Sequence, residues 1–264
     1  MARRVRLFVT VLGLVTTAAC ASGGRGVPAG TSLPDKFLFD KGTEALTNKK
    51  WLTARQFFRE IVDTYTQSPY RPDAKLGLGD TYLGEGTPDA LERALSEFAE
   101  FLGFFPTNPR ADYARYKLGM VHFRQMRGPQ RDQTQTREAV KELETFVSRY
   151  PNSTLIAEGK ARLRDARDRL SQSDYEVGYF YYRQRWYPGA VDRFKAVLKQ
   201  DPEFTNRDAV YFYLGEALVK GNRKAEALPY YEKLIEEFQQ SEYLAEANKR
   251  IAALKVPEAK SSGG

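Results

Sequence analysis

Small and large apolar residues recur along this chain with one fixed spacing in five separate stretches. In each stretch an alanine is followed four residues later by a large apolar residue, and a second large apolar residue comes three residues after that. The alanines are Ala54, Ala94, Ala139, Ala190 and Ala227, the first large residues are Phe58, Phe98, Leu143, Phe194 and Tyr231, and the second are Ile61, Phe101, Phe146, Val197 and Leu234. These spacings put all three positions on one face of an α-helix. The pattern therefore predicts five amphipathic helices.

A glycine lies upstream of each alanine and predicts a partner helix that packs closely against the first. The glycines are Gly42, Gly79, Gly119, Gly178 and Gly215, and they precede their alanines by 12 residues in three stretches and by 15 and 20 in the other two. Proline follows three of the five predicted helices, at Pro106, Pro151 and Pro202, whereas Thr66 and Gln239 take that position in the others. Because proline lacks an N–H and clashes with the preceding turn, it ends a helix.

A helix–turn–helix unit with this pattern is typical of the tetratricopeptide repeat (TPR). One unit cannot bury its apolar face alone, so successive units stack. The predicted fold class is all-α, a TPR-type right-handed superhelix (α-solenoid) of about five helix–turn–helix units with a capping helix. The predicted segments are a signal peptide at 1–19, a lipidated cysteine with a flexible tether at 20–34, the repeat domain at 35–254 and a disordered tail at 255–264.

Two further helices are predicted outside the five units. One runs from about Thr154 to Ser171 between units three and four, and Lys160, Arg164 and Arg167 share one side of it. That side is either a solvated charged face or a docking surface for an acidic partner. The other helix, from about Ser241 to Leu254, is expected to cap the stack with Tyr243, Leu244, Ala247 and Ile251 facing inward and Glu246, Lys249 and Arg250 facing outward.

The first residues of the chain have the composition of a secretion signal. Arg3, Arg4 and Arg6 precede an apolar stretch from Leu7 to Ala19, which is too short to span a bilayer. It ends in Thr17-Ala18-Ala19-Cys20, which resembles a bacterial lipobox although the family pattern prefers leucine where Thr17 lies. Cys20 is therefore the predicted lipidation site, and ordinary cleavage that leaves a free thiol is the alternative.

Composition argues against catalysis and nucleic-acid binding. The chain has one cysteine and one histidine, so it can form neither an internal disulfide nor a histidine-based metal cluster. The motif patterns of phosphate loops, serine hydrolases and zinc proteases are absent. Removal of the signal peptide lowers the formal net charge of +7 by three, which leaves only a mild positive charge. We expect no enzyme activity, no metal and no cofactor beyond the lipid on Cys20, and we expect His122 to be a packed core residue.

The remaining functional candidate is the concave surface of the superhelix. By analogy with the repeat, positions two, five, nine and twelve of the first helix of each unit face inward. The predicted peptide-binding residues at these positions are Phe39, Leu46, Leu76, Leu83, Tyr113, Tyr116, Met120 and Phe123. In unit four the corresponding positions include Tyr175, Tyr179 and Tyr182. Aromatic and methionine side chains offer flat, adaptable contact area for a peptide, whereas the alternative is that several of them pack against a neighbouring helix.

Three segments resemble one known family. TQSPYRPDAKLGLGDTYLGEG, FPTNPRADYARYKLGMVHF and RDQTQTREAVKELETFVSRYPNS are similar to the BamD/ComL family, the TPR lipoproteins of the bacterial β-barrel assembly machinery. RDQT, at Arg131 to Thr134, is the most specific element of this resemblance, and units four and five read as generic TPR.

The resemblance implies a lipid-anchored protein on the periplasmic face of the outer membrane. It implies a BamA-type barrel protein docked through a POTRA domain onto the C-terminal repeats, where Arg193 is the carried-over contact, together with other Bam lipoproteins. It also implies that the N-terminal repeats bind unfolded outer-membrane β-barrel proteins. The alternatives are a TPR lipoprotein that acts as a pilotin or coordinates peptidoglycan synthesis, and an enzyme with a superhelical domain, for which no residues remain to build a catalytic domain.

Overall fold

The fold consists of α-helices that pack onto one another in chain order. The computed structural model describes residues 27–28 and 30–255. The helices within these residues are α1 (Pro34–Thr47), α2 (Trp51–Thr64), α3 (Arg71–Glu85), α4 (Pro88–Phe104), α5 (Ala111–Arg124), α6 (Thr134–Arg149), α7 (Ile156–Arg183), α8 (Tyr187–Gln200), α9 (Arg207–Lys220), α10 (Lys224–Glu237) and α11 (Leu244–Lys255). Each helix packs mainly against its neighbours in sequence. This confirms the predicted all-α TPR solenoid.

The predicted glycine positions are the places where the two helices of a unit touch. A Cβ atom added to any of the five glycines would lie within 2.8 Å of a ring or side chain on the partner helix, which is closer than real contacts allow. The contacts pair Gly42 with Phe58, Gly79 with Phe98, Gly119 with Leu143, Gly178 with Phe194 and Gly215 with Tyr231. The five alanines are fully buried in the same interfaces. The repeat spacing read from the sequence therefore gives the correct packing register.

Proline is not required to end the second helix of a unit. α4, α6 and α8 end two residues before Pro106, Pro151 and Pro202, as expected from the restriction on the residue before proline. α2 and α10 end at the same distance before Thr66 and Gln239. The turn after the helix is therefore kept in all five units, with or without proline.

The predicted helix from Thr154 to Ser171 does not end where expected. It continues into the first helix of unit four and forms the single 28-residue helix α7. Neither glycine nor proline interrupts the chain between Ser171 and Tyr175, and Ser171 is buried with its hydroxyl donating to Asp201 at 2.6 Å. A separate helix was therefore the wrong prediction, and α7 joins the first three units to the last two.

An acidic residue on one helix holds the turn that leads to the next unit. Its carboxylate accepts a hydrogen bond from a serine or threonine just before the following helix. The pairs are Asp35 with Ser68, Asp112 with Ser153, Asp168 with Thr205 and Asp208 with Ser241, at 2.7, 2.6, 2.7 and 2.6 Å. At the remaining junction Arg110 pairs with Asp73 at 2.8 Å. These bonds fix how each unit stacks on the one before it.

The charged side of α7 is mostly used inside the protein. Arg164 donates to both carboxylate oxygens of Asp201 and also pairs with Asp168 at 3.1 Å. Arg167 pairs with Glu144 on α6 at 2.7 Å, whereas Lys160 is exposed. The two arginines thus join α7 to its neighbours. This side of the helix therefore stabilises the fold, which argues against a docking surface for an acidic partner.

The last helix caps the stack as predicted, with one difference. Ala247 is fully buried, and Tyr243, Leu244 and Ile251 pack against the same core. Arg250 was expected to face outward, but its guanidinium reaches back to Glu216 on α9, which is only 5% exposed. The outward prediction was wrong for Arg250 because the buried carboxylate of Glu216 needs a positively charged partner.

Several predicted features lie outside the described residues. These are the signal peptide at 1–19, Cys20, most of the tether that follows it and nearly all of the tail at 255–264. Within the part of the chain that is described, no helix combines the length and apolar character needed to cross a bilayer.

Candidate functional site

Five of the predicted groove residues keep part of their side chains accessible. Phe39 and Leu46 on α1, Leu83 on α3, and Met120 and Phe123 on α5 are half-buried. Their inner parts pack on the core, and their outer parts remain on the surface. Phe39 also stacks on Tyr70 with ring centroids 5.2 Å apart. Half-buried aromatic and methionine side chains of this kind suit contact with a flexible ligand.

Two of the predicted groove residues are not accessible. Leu76 is 1% exposed and Tyr116 is 5% exposed. Both side chains pack against neighbouring helices, and the ring of Tyr116 lies 5.5 Å from that of Phe146 on α6. Burial raises the pKa of Tyr116, and a hydrogen bond with Glu158 raises it further, so its phenol stays neutral. Their assignment to the groove was wrong because the repeat analogy does not distinguish inward from interhelical directions.

Tyr113 lies in a charged network on the same surface. Its hydroxyl donates to Asp80 Oδ2 at 2.8 Å, and Lys117 pairs with the other oxygen of Asp80 at 3.1 Å. The guanidinium of Arg110 and the ammonium of Lys117 lie 4.6 and 5.0 Å from the centroid of the Tyr113 ring. Burial raises the pKa of Tyr113, and the charge of Asp80 raises it further. Tyr113 is therefore a neutral hydrogen-bond donor that cations already contact.

The groove thus alternates in character along α1, α3 and α5. Apolar side chains lie in unit one and at the far end of unit three, where Arg162 sits 5.5 Å from the Phe123 ring centroid. Between them lies the network around Asp80 and Tyr113. A ligand that fits the whole groove needs both apolar and polar groups along its length.

His122 contacts a glutamine on the neighbouring helix. It is half-buried on α5, and its Nδ1 lies 2.8 Å from Gln135 Oε1. Among residues 27–28 and 30–255, no group of three or more histidine, cysteine, aspartate or glutamate side chains is arranged to hold a metal ion. The environment of His122 is that of a residue that joins α5 to α6.

The C-terminal units present a second aromatic surface. Tyr175 is buried, whereas Tyr179 and Tyr182 are half-buried and contact Tyr213 on α9 edge-to-face, with centroids 4.8 and 5.4 Å apart. The ammonium of Lys220 lies 4.9 Å from the centroid of the Tyr182 ring. The phenols here pack mainly on one another.

Arg193 lies on the exposed surface of α8. Within the described residues it makes no ion pair, and its Cβ lies against α7 beside Gly178. At the start of the same helix, Trp186 covers Gly189 and is still 55% exposed. Arginine and tryptophan are both enriched in protein interfaces.

The RDQT segment organises the loop between α5 and α6. Gln133 is 4% exposed, and its amide donates to the carbonyl oxygens of Gly128 at 2.7 Å and Arg131 at 2.9 Å. Asp132 accepts hydrogen bonds from the backbone N–H and hydroxyl of Thr134, which lower its pKa. Arg131 of this motif is exposed and makes no ion pair in the described structure.

Three exposed apolar residues near this loop were missed by sequence reasoning. Val177 and Phe180 on α7 and Trp186 after it are 36, 57 and 55% exposed. Their signal in the sequence is weak, because the tyrosines between them make all sides of this part of α7 aromatic. Only the packing of α7 shows which side chains remain uncovered.

Comparison with known proteins places the chain in a family. A family model described as outer membrane lipoprotein, YfiO, matches residues 31–221, and a tetratricopeptide repeat model matches residues 209–241. The outer membrane protein assembly factor BamD of Caulobacter vibrioides is 26% identical over 211 residues, which cover 78% of this chain and 68% of that protein.

Two further relatives have the same description. BamD of Vibrio cholerae is 25% identical over 209 residues, covering 74% of this chain and 84% of the relative, and BamD of Haemophilus influenzae is 23% identical over 228 residues, covering 83 and 85%. The family model extends over well more than half of the chain, and the residues that it matches include four of the five glycine contacts described above. The chain belongs to the YfiO family of outer membrane lipoproteins, whose relatives are the assembly factors BamD.

Proposed function

We propose that this protein is a non-enzymatic, lipid-anchored scaffold of the β-barrel assembly machinery. In this proposal the groove formed by α1, α3 and α5 binds unfolded outer-membrane β-barrel proteins through aromatic-ended segments. The C-terminal repeats bind a BamA-type barrel protein through its POTRA domain, and the protein faces the periplasm. Family membership supports the assembly role, and the accessible apolar residues of the groove are the observation that carries the substrate proposal.

The alternating character of the groove supports this ligand. A strand of an outer-membrane barrel alternates apolar and polar side chains along its length. The groove offers apolar contacts at Phe39, Met120 and Phe123 and polar contacts at Asp80 and Lys117. A peptide lying across the three units can therefore place its apolar side chains on the first set and its polar groups on the second.

Titration with a synthetic C-terminal barrel peptide tests the substrate site. We expect Phe123→Ala to weaken binding by about 2 kcal/mol, because truncation of an anchoring aromatic residue commonly costs that much. Phe104→Ala is the matched control, since Phe104 lies at the end of α4 and is 69% exposed. Circular dichroism checks that both variants are folded. Equal affinities for wild type and Phe123→Ala, or no binding to wild type, would remove the groove from the mechanism.

Charge reversal tests the partner site. We expect Arg193→Glu to abolish capture of purified BamA-type POTRA domains, because it replaces an unpaired guanidinium with a carboxylate. Lys199→Glu is the control, because Lys199 is exposed on the same helix and also makes no ion pair within the described chain. If both variants capture the POTRA domains as wild type does, the partner docks elsewhere.

Fractionation tests the anchor and the membrane. We expect Cys20→Ser to move the protein from the membrane pellet to the soluble periplasmic fraction in a strain without the barrel partner. Acyl chains on the cysteine would otherwise supply the membrane affinity. A protein that stays in the pellet after this change is held there by something other than lipid. Co-purification of a secretin in place of a BamA-type protein would favour the pilotin alternative.

A further inference from the structure

The loop between α5 and α6 and the second half of α7 enclose a groove of about 780 Å³. Val177 and Phe180 of α7 line one side, and residues 129–131 of the loop line the other. The exposed ring of Trp186 extends the apolar surface, since it lies 4.5 Å from the ring of Tyr181, which also lines the groove. Large apolar side chains gathered in one exposed concave place mark binding sites more often than isolated ones do.

The groove is held open by hydrogen bonds rather than formed by a free loop. The buried side-chain amide of Gln133 donates hydrogen bonds to the carbonyl oxygens of Gly128 and Arg131, which fixes the shape of the loop. Arg169 of α7 donates to the backbone carbonyl of Arg127 at 3.3 Å and so joins the loop to the helix. A preformed site loses little conformational entropy when a ligand binds.

The charged side chains that line the groove, Arg131, Arg183 and Glu176, carry a net positive charge. Arg131 and Arg183 are both exposed, and neither makes an ion pair within the described residues. The carboxylate of Glu176, which also lines the groove, already accepts a hydrogen bond from Gln172 at 3.1 Å. Guanidinium groups bind carboxylates through paired hydrogen bonds, so two free arginines beside an apolar surface favour an acidic ligand with an apolar anchor.

We propose that this groove binds a short acidic segment of a partner protein. A large apolar side chain of the segment packs on Val177 and Phe180, and its carboxylates pair with Arg131 and Arg183. The concave shape favours a peptide over a bilayer surface, which a protein meets with protruding side chains. The site lies away from α1 and α3 and rests on its own geometry, so it does not depend on the proposed substrate groove.

Fluorescence anisotropy with designed peptides tests the proposal on the purified full chain. The probe is a fluorescein-labelled ten-residue peptide with aspartate and glutamate around a central Phe-Leu pair. Two matched peptides carry lysine in place of the acidic residues or serine in place of the central pair. We expect the first peptide to bind at least about tenfold more tightly than either control. We also expect its affinity to fall with added salt, because the paired charges are near the surface.

Substitutions connect the binding to the groove. We expect Phe180→Ala to lower the affinity for the acidic peptide by about tenfold. We expect the double substitution Arg131→Gln with Arg183→Gln to lower this affinity and to reduce its dependence on salt. Phe104→Ala and Arg149→Gln are the controls, because both residues are exposed and lie outside the groove. All of these side chains are on the surface, and thermal melts check that each variant is folded.

Three results would overturn the proposal. One is equal affinity for the acidic and lysine peptides, and another is unchanged affinity in Phe180→Ala. The third is that wild type binds no peptide but binds vesicles of phosphatidylglycerol, or self-associates in sedimentation, and that Phe180→Ala abolishes this binding or self-association. That result would assign the surface to a membrane or to a second copy of the chain. Failure of the barrel-peptide titration would leave the inference unchanged, because that peptide is tested against different residues.

Discussion

Replacing Asp201 with asparagine removes the charge from a buried carboxylate that holds α7 to the turn after α8. Asp201 is 9% exposed and accepts hydrogen bonds from Arg164 and from the Ser171 hydroxyl. Asparagine has nearly the same shape, but only its carbonyl oxygen accepts hydrogen bonds, whereas both oxygens of Asp201 accept them here. The substitution therefore tests the charge with little change in packing.

The expected loss of stability depends on the ion pairs that Arg164 still makes after the substitution. Loss of one partner from a buried ion pair commonly destabilises a protein by about 3–5 kcal/mol. Arg164 keeps Asp168 at 3.1 Å, and a quarter of its side chain is exposed, so we expect the lower end of that range. A loss of about 3 kcal/mol lowers the thermal midpoint of a chain of this size by roughly 6–12 °C.

The pH dependence gives a second test of the same reasoning. Burial would raise the pKa of Asp201, but hydrogen bonds from Arg164 and Ser171 and the charge of Arg164 outweigh it and lower the pKa. A lowered folded-state pKa contributes stability that is present above the unfolded pKa of about 3.9 and is lost as the pH falls through the folded pKa. The difference between wild type and Asp201→Asn should therefore be full at pH 7 and shrink below about pH 4.

Thermal melts of the purified protein, followed by circular dichroism across this pH range, measure the effect. Asp165→Asn is the control, because Asp165 lies on α7 next to Arg164, has its side chain 55% exposed and pairs only with Arg162 at 3.5 Å. We expect that control to change the midpoint little, since exposed ion pairs contribute 0–1 kcal/mol. A midpoint unchanged in Asp201→Asn, or a difference that stays constant down to pH 2, would refute the role of this carboxylate.

Three other substitutions test the packing. Gly79→Ala should lower the thermal midpoint, because its Cβ would lie 2.6 Å from Phe98, whereas Gly103→Ala has nothing within 4 Å and should not lower it. Ala190→Leu should cost about 1–3 kcal/mol by overpacking a fully buried position, and a midpoint equal to wild type would show that the repeat register is wrong. Glu216→Gln should speed amide hydrogen exchange in α11 by weakening its contact with Arg250, while exchange in α1 should stay as in wild type.

The helices and their pairing could be predicted because a repeat protein is packed locally. The spacing from Gly119 to Ala139 and Leu143 is enough to bring the two helices of unit three together, since these residues contact each other within one unit. The repeat pattern also predicted positions whose side chains stay partly accessible, such as Phe39 and Phe123, and their role in peptide binding stays a prediction.

The predictions that were wrong or missing concern side chains whose burial depends on contacts between units. Tyr116 follows the same pattern as Phe123, but packing against α6 buries it. The exposed face of Phe180 depends on which side of α7 its neighbours cover. Neither outcome is encoded in the spacing, since both depend on how one unit rests on the next.

By itself the amino-acid sequence determined the helical class, the number of units and the small positions at which paired helices touch, because a close approach needs glycine or alanine wherever a large ring lies opposite. The tertiary structure alone decided that two helices fuse into α7. It also decided that Asp201 and Arg164, 37 residues apart, form a partly buried pair. It also decided that Arg131 and Arg183, neither of them in an ion pair within the described residues, line the same groove as Phe180. The physical reason is that burial and charge pairing depend on distances between units, which are set only when the whole stack is assembled.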